Sequence, residues 1–319
     1  MRFRLGIFGC MLCCGLMALC LPGCAPRPSW EQSSLANAEG ETFGYRKWLD
    51  AETEPDVVII GIHGFCGASM DYDNLGKFLL KQQPETALYA YELRGQGSDP
   101  IRERRGDIGK AEEWYADLST FTQLVRKRHP KAKVIWYGES MGALIATHAW
   151  CEAPGQERAI IDGLVLSSAI VRFHDDIPDW VPGLVRVAAQ ALPEQRITLE
   201  TLMQGEDVQM TGESSHLEQA DKNPWHVDDY TLRLIGNLTR LIASMNGCAK
   251  ELDLPLLVLH GEHDEFNRDG DIRGFLARLP EGADATYHHY EGAYHLLMHD
   301  RQRKKVFRDV TAWVDGLRD

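Results

Sequence analysis

The chain has 319 residues, 44% of them apolar, enough to build one large core or two ordinary ones. Its 47 acidic residues against 34 basic ones give a formal net charge of −13, a balance that argues against a nucleic-acid partner.

Arg2 and Arg4 precede an apolar run from Leu5 that ends in Leu21-Pro22-Gly23-Cys24. Residues 1–23 read as a signal peptide of the bacterial lipoprotein type, with Cys24 lipidated and N-terminal after cleavage. An uncleaved anchor helix is the alternative, because the run is at the lower edge of spanning length. Residues 24–40, with Pro26, Pro28, Ser33, Ser34 and Asn37, read as a polar tether between membrane and domain. Ala25, where Asp is lacking after the cysteine, directs the expected lipid-anchored location in the cell envelope to the outer membrane. Cys10, Cys13, Cys14 and Cys20 leave with the leader. The remaining Cys66, Cys151 and Cys248 are too widely spaced to form a disulfide framework or a metal site, so no metal is expected.

From residue 41 strand and helix patterns alternate. Glu41 to Leu49 reads as an early strand, and Val57, Val58, Ile59, Ile60 and Ile62 form a buried strand ending at His63-Gly64. A helix over Tyr72 to Lys81 and a strand over Ala87 to Leu93 follow. Trp114, Leu118, Phe121 and Val125 repeat at i, i+4, i+7, i+11 on a helix that Pro130 closes. The strand Lys133 to Tyr137 runs into Gly138-Glu139-Ser140-Met141-Gly142 and an Ala-rich helix, and Gly163 to Ser167 is the next strand. The alternation then stops over residues 170–230, which read as an inserted helical cap whose Phe173, Trp180, Val181, Leu184 and Trp225 either line an acyl pocket or pack the cap, with Val185, Val187 and Leu192 adding apolar area. Residues 231–319 resume the core: a helix with Leu234, Leu238, Leu241 and Met245, a strand over Pro255 to His260, a helix near Ile272, a strand over Thr286 to Tyr290, and a closing helix with Val306, Val310 and Trp313. Repeated strand–helix units predict an α/β fold with a mostly parallel central sheet flanked by helices, built from residues 41–169 and 231–319 around the cap.

Ser140 is the centre of a G-x-S-x-G pattern set between a predicted strand and a predicted helix. A strained turn there exposes the hydroxyl and demands small neighbours, which Gly138 and Gly142 supply. A serine hydroxyl needs a general base and a carboxylate to orient it, in the chain order Ser, acid, His. His260-Gly261-Glu262-His263-Asp264 and Gly292-Ala293-Tyr294-His295 each follow a strand, at the sheet end where such sites lie. Asp264 is the expected acid, with Glu262 as competitor, and His295 the expected base among His260, His263, His288, His289 and His299. The oxyanion formed on attack calls for two fixed N–H donors, and Met141 and Phe65 are the candidates. Arg94-Gly95-Gln96-Gly97-Ser98 lacks the spacing of a dinucleotide fingerprint and reads as a tight loop beside the serine turn.

On these pieces, His63-Gly64-Phe65, Leu93 to Ser98, Gly138 to Gly142, His260 to Asp264 and Gly292 to His295, the chain resembles the monoacylglycerol lipase and lysophospholipase branch of the α/β-hydrolases, also grouped with serine aminopeptidases. The resemblance spans Gly40 to the C-terminus. It implies the α/β-hydrolase fold and an oxyanion hole at Phe65 and Met141. Two departures stand out: Cys66 lies where relatives often have a second glycine, and Glu139 where many carry histidine. The expected activity is two-step acyl transfer from a small single-chain acyl ester, monoacylglycerol or lysophospholipid, through an acyl-enzyme on Ser140 and with no cofactor. The rivals are another enzyme on this fold, such as an aminopeptidase or cofactor-free haloperoxidase, and a non-catalytic surface lipoprotein. In the aminopeptidase reading Asp175, Asp176 and Asp179 would hold the substrate amine.

Overall fold

A computed structural model describes residues 29–30, 35–38, 41–152, 161–202, 207–215, 218 and 223–318. The expected signal peptide, Cys24 and the first part of the tether lie outside the described residues. Two later pieces of that tether are strands rather than spacer: β1 (Ser29–Trp30) and β2 (Leu35–Ala38) pair antiparallel with each other, and β2 pairs with β3 (Glu41–Trp48). Strands this short are below the length at which alternation shows in sequence.

The core is the sheet β1-β2-β3-β5-β4-β6-β7-β12-β13. Its central members β5 (Thr86–Tyr91), β4 (Val57–Ile62), β6 (Lys133–Glu139), β7 (Gly163–Ser167), β12 (Leu256–Gly261) and β13 (Ala285–Tyr290) run parallel, and β3 closes one side antiparallel. Residues of β4, β5, β7 and β12 are buried throughout. Burial on both faces explains why these strands are unbroken apolar runs, with β-branched residues that suit the pleat. One face carries Ile60, Tyr89, Trp136 and Leu166 against α2 (Glu112–Arg128), α3 (Met141–Glu152) and the helix that leaves the cap. The other carries Ile59, Leu88, Tyr137 and Val165 against α1 (Asp73–Gln82) and the closing helix.

Every parallel connection returns through a helix, so the ends of β4, β6, β7, β12 and β13 gather at one edge of the sheet. Polar contacts lock the loops there. The Tyr72 hydroxyl takes the Ile62 N–H at 3.0 Å and donates to Tyr137 O at 2.7 Å. Arg94 grips Asp117 through two bonds of 2.9 and 2.6 Å, and Trp114 Nε1 donates to Arg94 O at 2.9 Å. The loop after β5 is thereby pinned to α2.

The cap is not wholly helical. It holds α4 (Trp180–Ala191), but β8 (Arg196–Thr198) pairs antiparallel with β11 (Asp229–Thr231), and β9 (Gln209–Thr211) with β10 (Ser214–Ser215). These pairs are also too short to announce themselves by alternation. Beyond the cap lie α5 (Leu232–Cys248), α6 (Asp269–Leu276) and α7 (Arg303–Gly316). No described helix is long and apolar enough to cross a membrane.

Candidate active site

Ser140 occupies the single residue between β6 and α3, with φ at +52°, in the left-handed region. A non-glycine residue there is strained, and packing must over-determine it. The Ser140 N–H donates to Ser167 O at 2.9 Å, and Ser140 O accepts from Ala143 N at 3.0 Å. The turn tolerates no bulk around it. A Cβ on Gly142 would fall 1.8 Å from Ile62 O, and one on Gly64 would fall 3.3 Å from Ser140 Cβ. The loop after β4 therefore lies directly on the serine.

His295 follows β13 and Asp264 follows β12, and the structure brings them together. His295 Nδ1 is 2.8 Å from Asp264 Oδ2, and both side chains are buried. Asp264 Oδ1 accepts from Phe266 N at 2.9 Å, which fixes the carboxylate plane, and the Phe266 ring packs on the imidazole at 4.5 Å. A carboxylate takes the Nδ1 proton, leaving Nε2 as the basic nitrogen. Ser168, next after β7, donates its hydroxyl to His295 O. The last residue of β7 and the one that follows it thus hold Ser140 through Ser167 and His295 through Ser168.

Glu262 is elsewhere. Its exposed carboxylate accepts from Gly292 N at 2.7 Å, bracing the turn that leads to His295. Among the other histidines, His260 is fully buried with no hydrogen-bond partner on either ring nitrogen, its Nδ1 3.8 Å from Asp264 Oδ2. Burial lowers its pKa and keeps it neutral. His263 is exposed, His288 and His289 lie within β13, and His299 precedes α7 and faces the cleft.

Met141 is the first residue of α3, where an N–H has no partner within the helix. Phe65 sits in a turn closed by Gly67 N to Gly64 O at 3.2 Å. Contacts that sequence reasoning did not give support that turn, two of them through Asn223 and Tyr230, which it did not single out. Leu93 N donates to His63 Nε2 at 3.0 Å, so the His63 proton is on Nδ1 and goes to Gly64 O at 2.9 Å. Cys66, itself at φ +60°, gives its N–H to Gln96 Oε1 at 3.1 Å and accepts at its carbonyl from Asn223 Nδ2 at 2.9 Å. Tyr230 stacks on Phe65 at 4.4 Å and bonds the Cys66 thiol at 3.1 Å. The Gly95-Gln96-Gly97 loop beside the serine turn was legible from sequence; its partner across 30 residues was not.

A cleft of about 570 Å³ opens over this turn, lined by Phe65, Met210, Trp225 and Leu296 with Asp71, Glu139, Glu213 and Glu218. Of the cap residues weighed for an acyl pocket, Trp225 lines the cleft, whereas Phe173, Trp180, Val181 and Leu184 do not. Trp180 is 66% and Leu184 56% exposed, because only the Val185 side of α4 packs inward. Asp175 and Asp179 line a separate hollow, where Asp175 is paired with Arg172 at 2.6 Å.

Comparison with known proteins decides the family: the model described as serine aminopeptidase, S33, matches residues 53–302. The chain belongs to that family of α/β-hydrolases. It is 26% identical over 286 residues to a monoacylglycerol lipase of Mycolicibacterium smegmatis, covering 89% of this chain and 96% of the relative. It is 23% identical over 276 residues to phospholipase YtpA of Bacillus subtilis, covering 84% and 98%. Its fold matches a soluble variant of the Saccharomyces cerevisiae monoglyceride lipase solved with a substrate analogue, at a TM-score of 0.74 and 20% identity over 92% of this chain and 95% of that one. The chain is a hydrolase of the α/β fold, as the sequence resemblance implies.

Glu139 differs from the other carboxyl groups of the cleft. It is buried, Oε1 has no hydrogen-bond partner, and burial together with the Asp71 carboxylate raises its pKa well above the ordinary 4.5. Burial disfavours the charged form of the side chain. Unfolding would expose it and release its proton, so it lowers stability progressively as pH rises above 4.5 toward its folded pKa, by up to about 1.4 kcal/mol per pH unit. Glu139→Gln removes this dependence. Its melting temperature should exceed that of the wild type by more at pH 8 than at pH 5; a gap that stays constant with pH would show that Glu139 ionises in the fold.

The carboxylate geometry is tested by kinetics. Asp264→Asn should lower kcat by about four orders of magnitude, as loss of the orienting acid does in other triads, and Glu262→Gln should leave it near wild type. The reverse ranking would move the acid role to Glu262.

Proposed function

We propose that the chain is a serine ester hydrolase that cleaves single-chain acyl esters through an acyl-enzyme on Ser140. The observation that carries this reading is the 2.8 Å Asp264–His295 pair, anchored with the left-handed Ser140 on the end of β7. In this mechanism His295 Nε2 takes the hydroxyl proton as Oγ attacks the carbonyl. Asp264 stabilises the imidazolium, and the Met141 and Phe65 N–H groups receive the oxyanion. His295 returns the proton to the leaving alcohol, and water then releases the acid by the same steps. The monoacylglycerol lipase and phospholipase relatives support ester cleavage.

The lining of the cleft favours one of the two ester classes in this reading. Among the described residues the lining includes the carboxyl groups of Asp71, Glu213 and Glu218, with Glu139 beside them, and no Lys or Arg. A phosphodiester would meet like charge there, whereas a neutral glyceryl ester finds hydrogen-bond acceptors for its hydroxyls. Monoacylglycerol is therefore the preferred substrate, with the chain along Phe65, Met210 and Leu296. Each methylene buried contributes about 0.8 kcal/mol, so kcat/KM should rise about fourfold per carbon until the cleft is filled. The leader through Cys24 would place the enzyme beside its lipid supply, and Cys24→Ala should block lipidation and processing; recovery of a processed, membrane-bound protein from that variant would sink the lipoprotein reading.

The substrate reading is tested with 1-monoacylglycerol, lysophosphatidylglycerol of the same chain, and an aminoacyl amide. The glyceryl ester should be cleaved at least about tenfold faster in kcat/KM than the anionic phospholipid, and Glu213→Gln with Glu218→Gln should narrow that ratio. Equal rates on the two esters would reject the electrostatic choice. Faster cleavage of the amide would make the enzyme a peptidase, with the acidic cleft holding an amine.

A further inference from the structure

Cys151 and Cys248 are 97 residues apart, yet they meet where two helices end side by side. Cys151 is the penultimate residue of α3, and Cys248 the last of α5. The Cys151 thiol donates to Cys248 O at 3.4 Å. Trp150 Nε1 donates to Glu251 O at 2.9 Å and closes the same joint. Both cysteines are half-buried, so a small oxidant can approach.

His148 completes the cluster. Its Nδ1 faces Leu144 O at 2.8 Å and must carry a proton, and its Nε2 faces Ser244 Oγ at 2.8 Å. Hydrogen bonds from Cys151 and from His148 favour the Cys248 thiolate and hold its pKa down to about 5. Cys66 is the contrast: burial pushes its thiol up to about 12, and its neighbour is Tyr230 rather than another thiol. The proposed hydrolytic mechanism uses none of the three.

We infer that Cys151 and Cys248 are a redox-active dithiol that closes to an intramolecular disulfide across α3 and α5 when it meets a disulfide oxidant. The Cys248 thiolate attacks the oxidant RS–SR, forming a mixed disulfide and expelling one RS⁻. Cys151 loses its proton to solvent and attacks the Cys248 sulfur, expelling the second RS⁻. Two protein thiols are oxidised and the oxidant is reduced to two thiols. The closed loop contains the entire cap, so the bond fastens the helix after Ser140 to the helix that leaves the cap.

The full chain, reduced, freed of reductant and treated with glutathione disulfide, is alkylated, digested with trypsin and read by mass spectrometry. The expected product links peptide 134–158 to peptide 241–250, with Cys66 alkylated. Cys151→Ser should instead leave glutathione on Cys248, and Cys248→Ser should leave Cys151 alkylated. Closing a loop of this length should also raise the melting temperature of the oxidised wild type by on the order of 5–10 °C, an increment absent from either variant. Alkylation of both cysteines after oxidant, a bond to Cys66, or a link between two chains would each overturn the inference.

Discussion

The arrangement depends on one backbone constraint, the left-handed conformation of Ser140 between β6 and α3. It projects the serine from the sheet edge and brings Gly142 onto Ile62 O and Gly64 onto the Ser140 side chain. A turn this tight persists only while its surroundings hold it. Ser167 O, the Ile62–Tyr72–Tyr137 bonds and the helix start at Met141 do so. Substituents at those glycines would displace the loop carrying Phe65 before they touched any substrate.

Electrostatics then divides the carboxyl groups by surroundings rather than by residue type. Asp264, bonded by Phe266 N, faces His295; Glu262, two residues earlier, points outward to a backbone amide; Glu139, one residue before the serine, is buried with Oε1 unpartnered, which raises its pKa. Burial and the neighbouring Asp71 carboxylate both disfavour charge on Glu139, directly before Ser140 in the cleft lining.

Much of this was legible because a parallel sheet converts chain order into spatial order. Buried strands read as β-branched runs, and the segments after β4, β6, β12 and β13 had to gather at one edge. The fold and the positions of Phe65, Ser140, Asp264 and His295 within it followed from that alone. What escaped were contacts between distant segments and the exposure of single faces. The stripe of Trp180, Leu184 and Val187 is apolar on a side that nothing covers, and sequence does not say which flank of a helix is packed. Cys151 with Cys248 and Cys66 with Gln96 are meetings of loop and helix ends, which periodicity does not report. The short pairs β8–β11 and β9–β10 have too few residues to alternate.

The central claim, that Ser140 is the nucleophile, is tested most directly by intact-mass and peptide analysis after exposure to a fluorophosphonate. Wild type should gain one phosphonyl adduct, located on Ser140, and lose esterase activity in proportion; Ser140→Ala should gain none while keeping the wild-type melting temperature within a few degrees. An adduct on another residue, or undiminished turnover by a folded Ser140→Ala variant, would contradict the account.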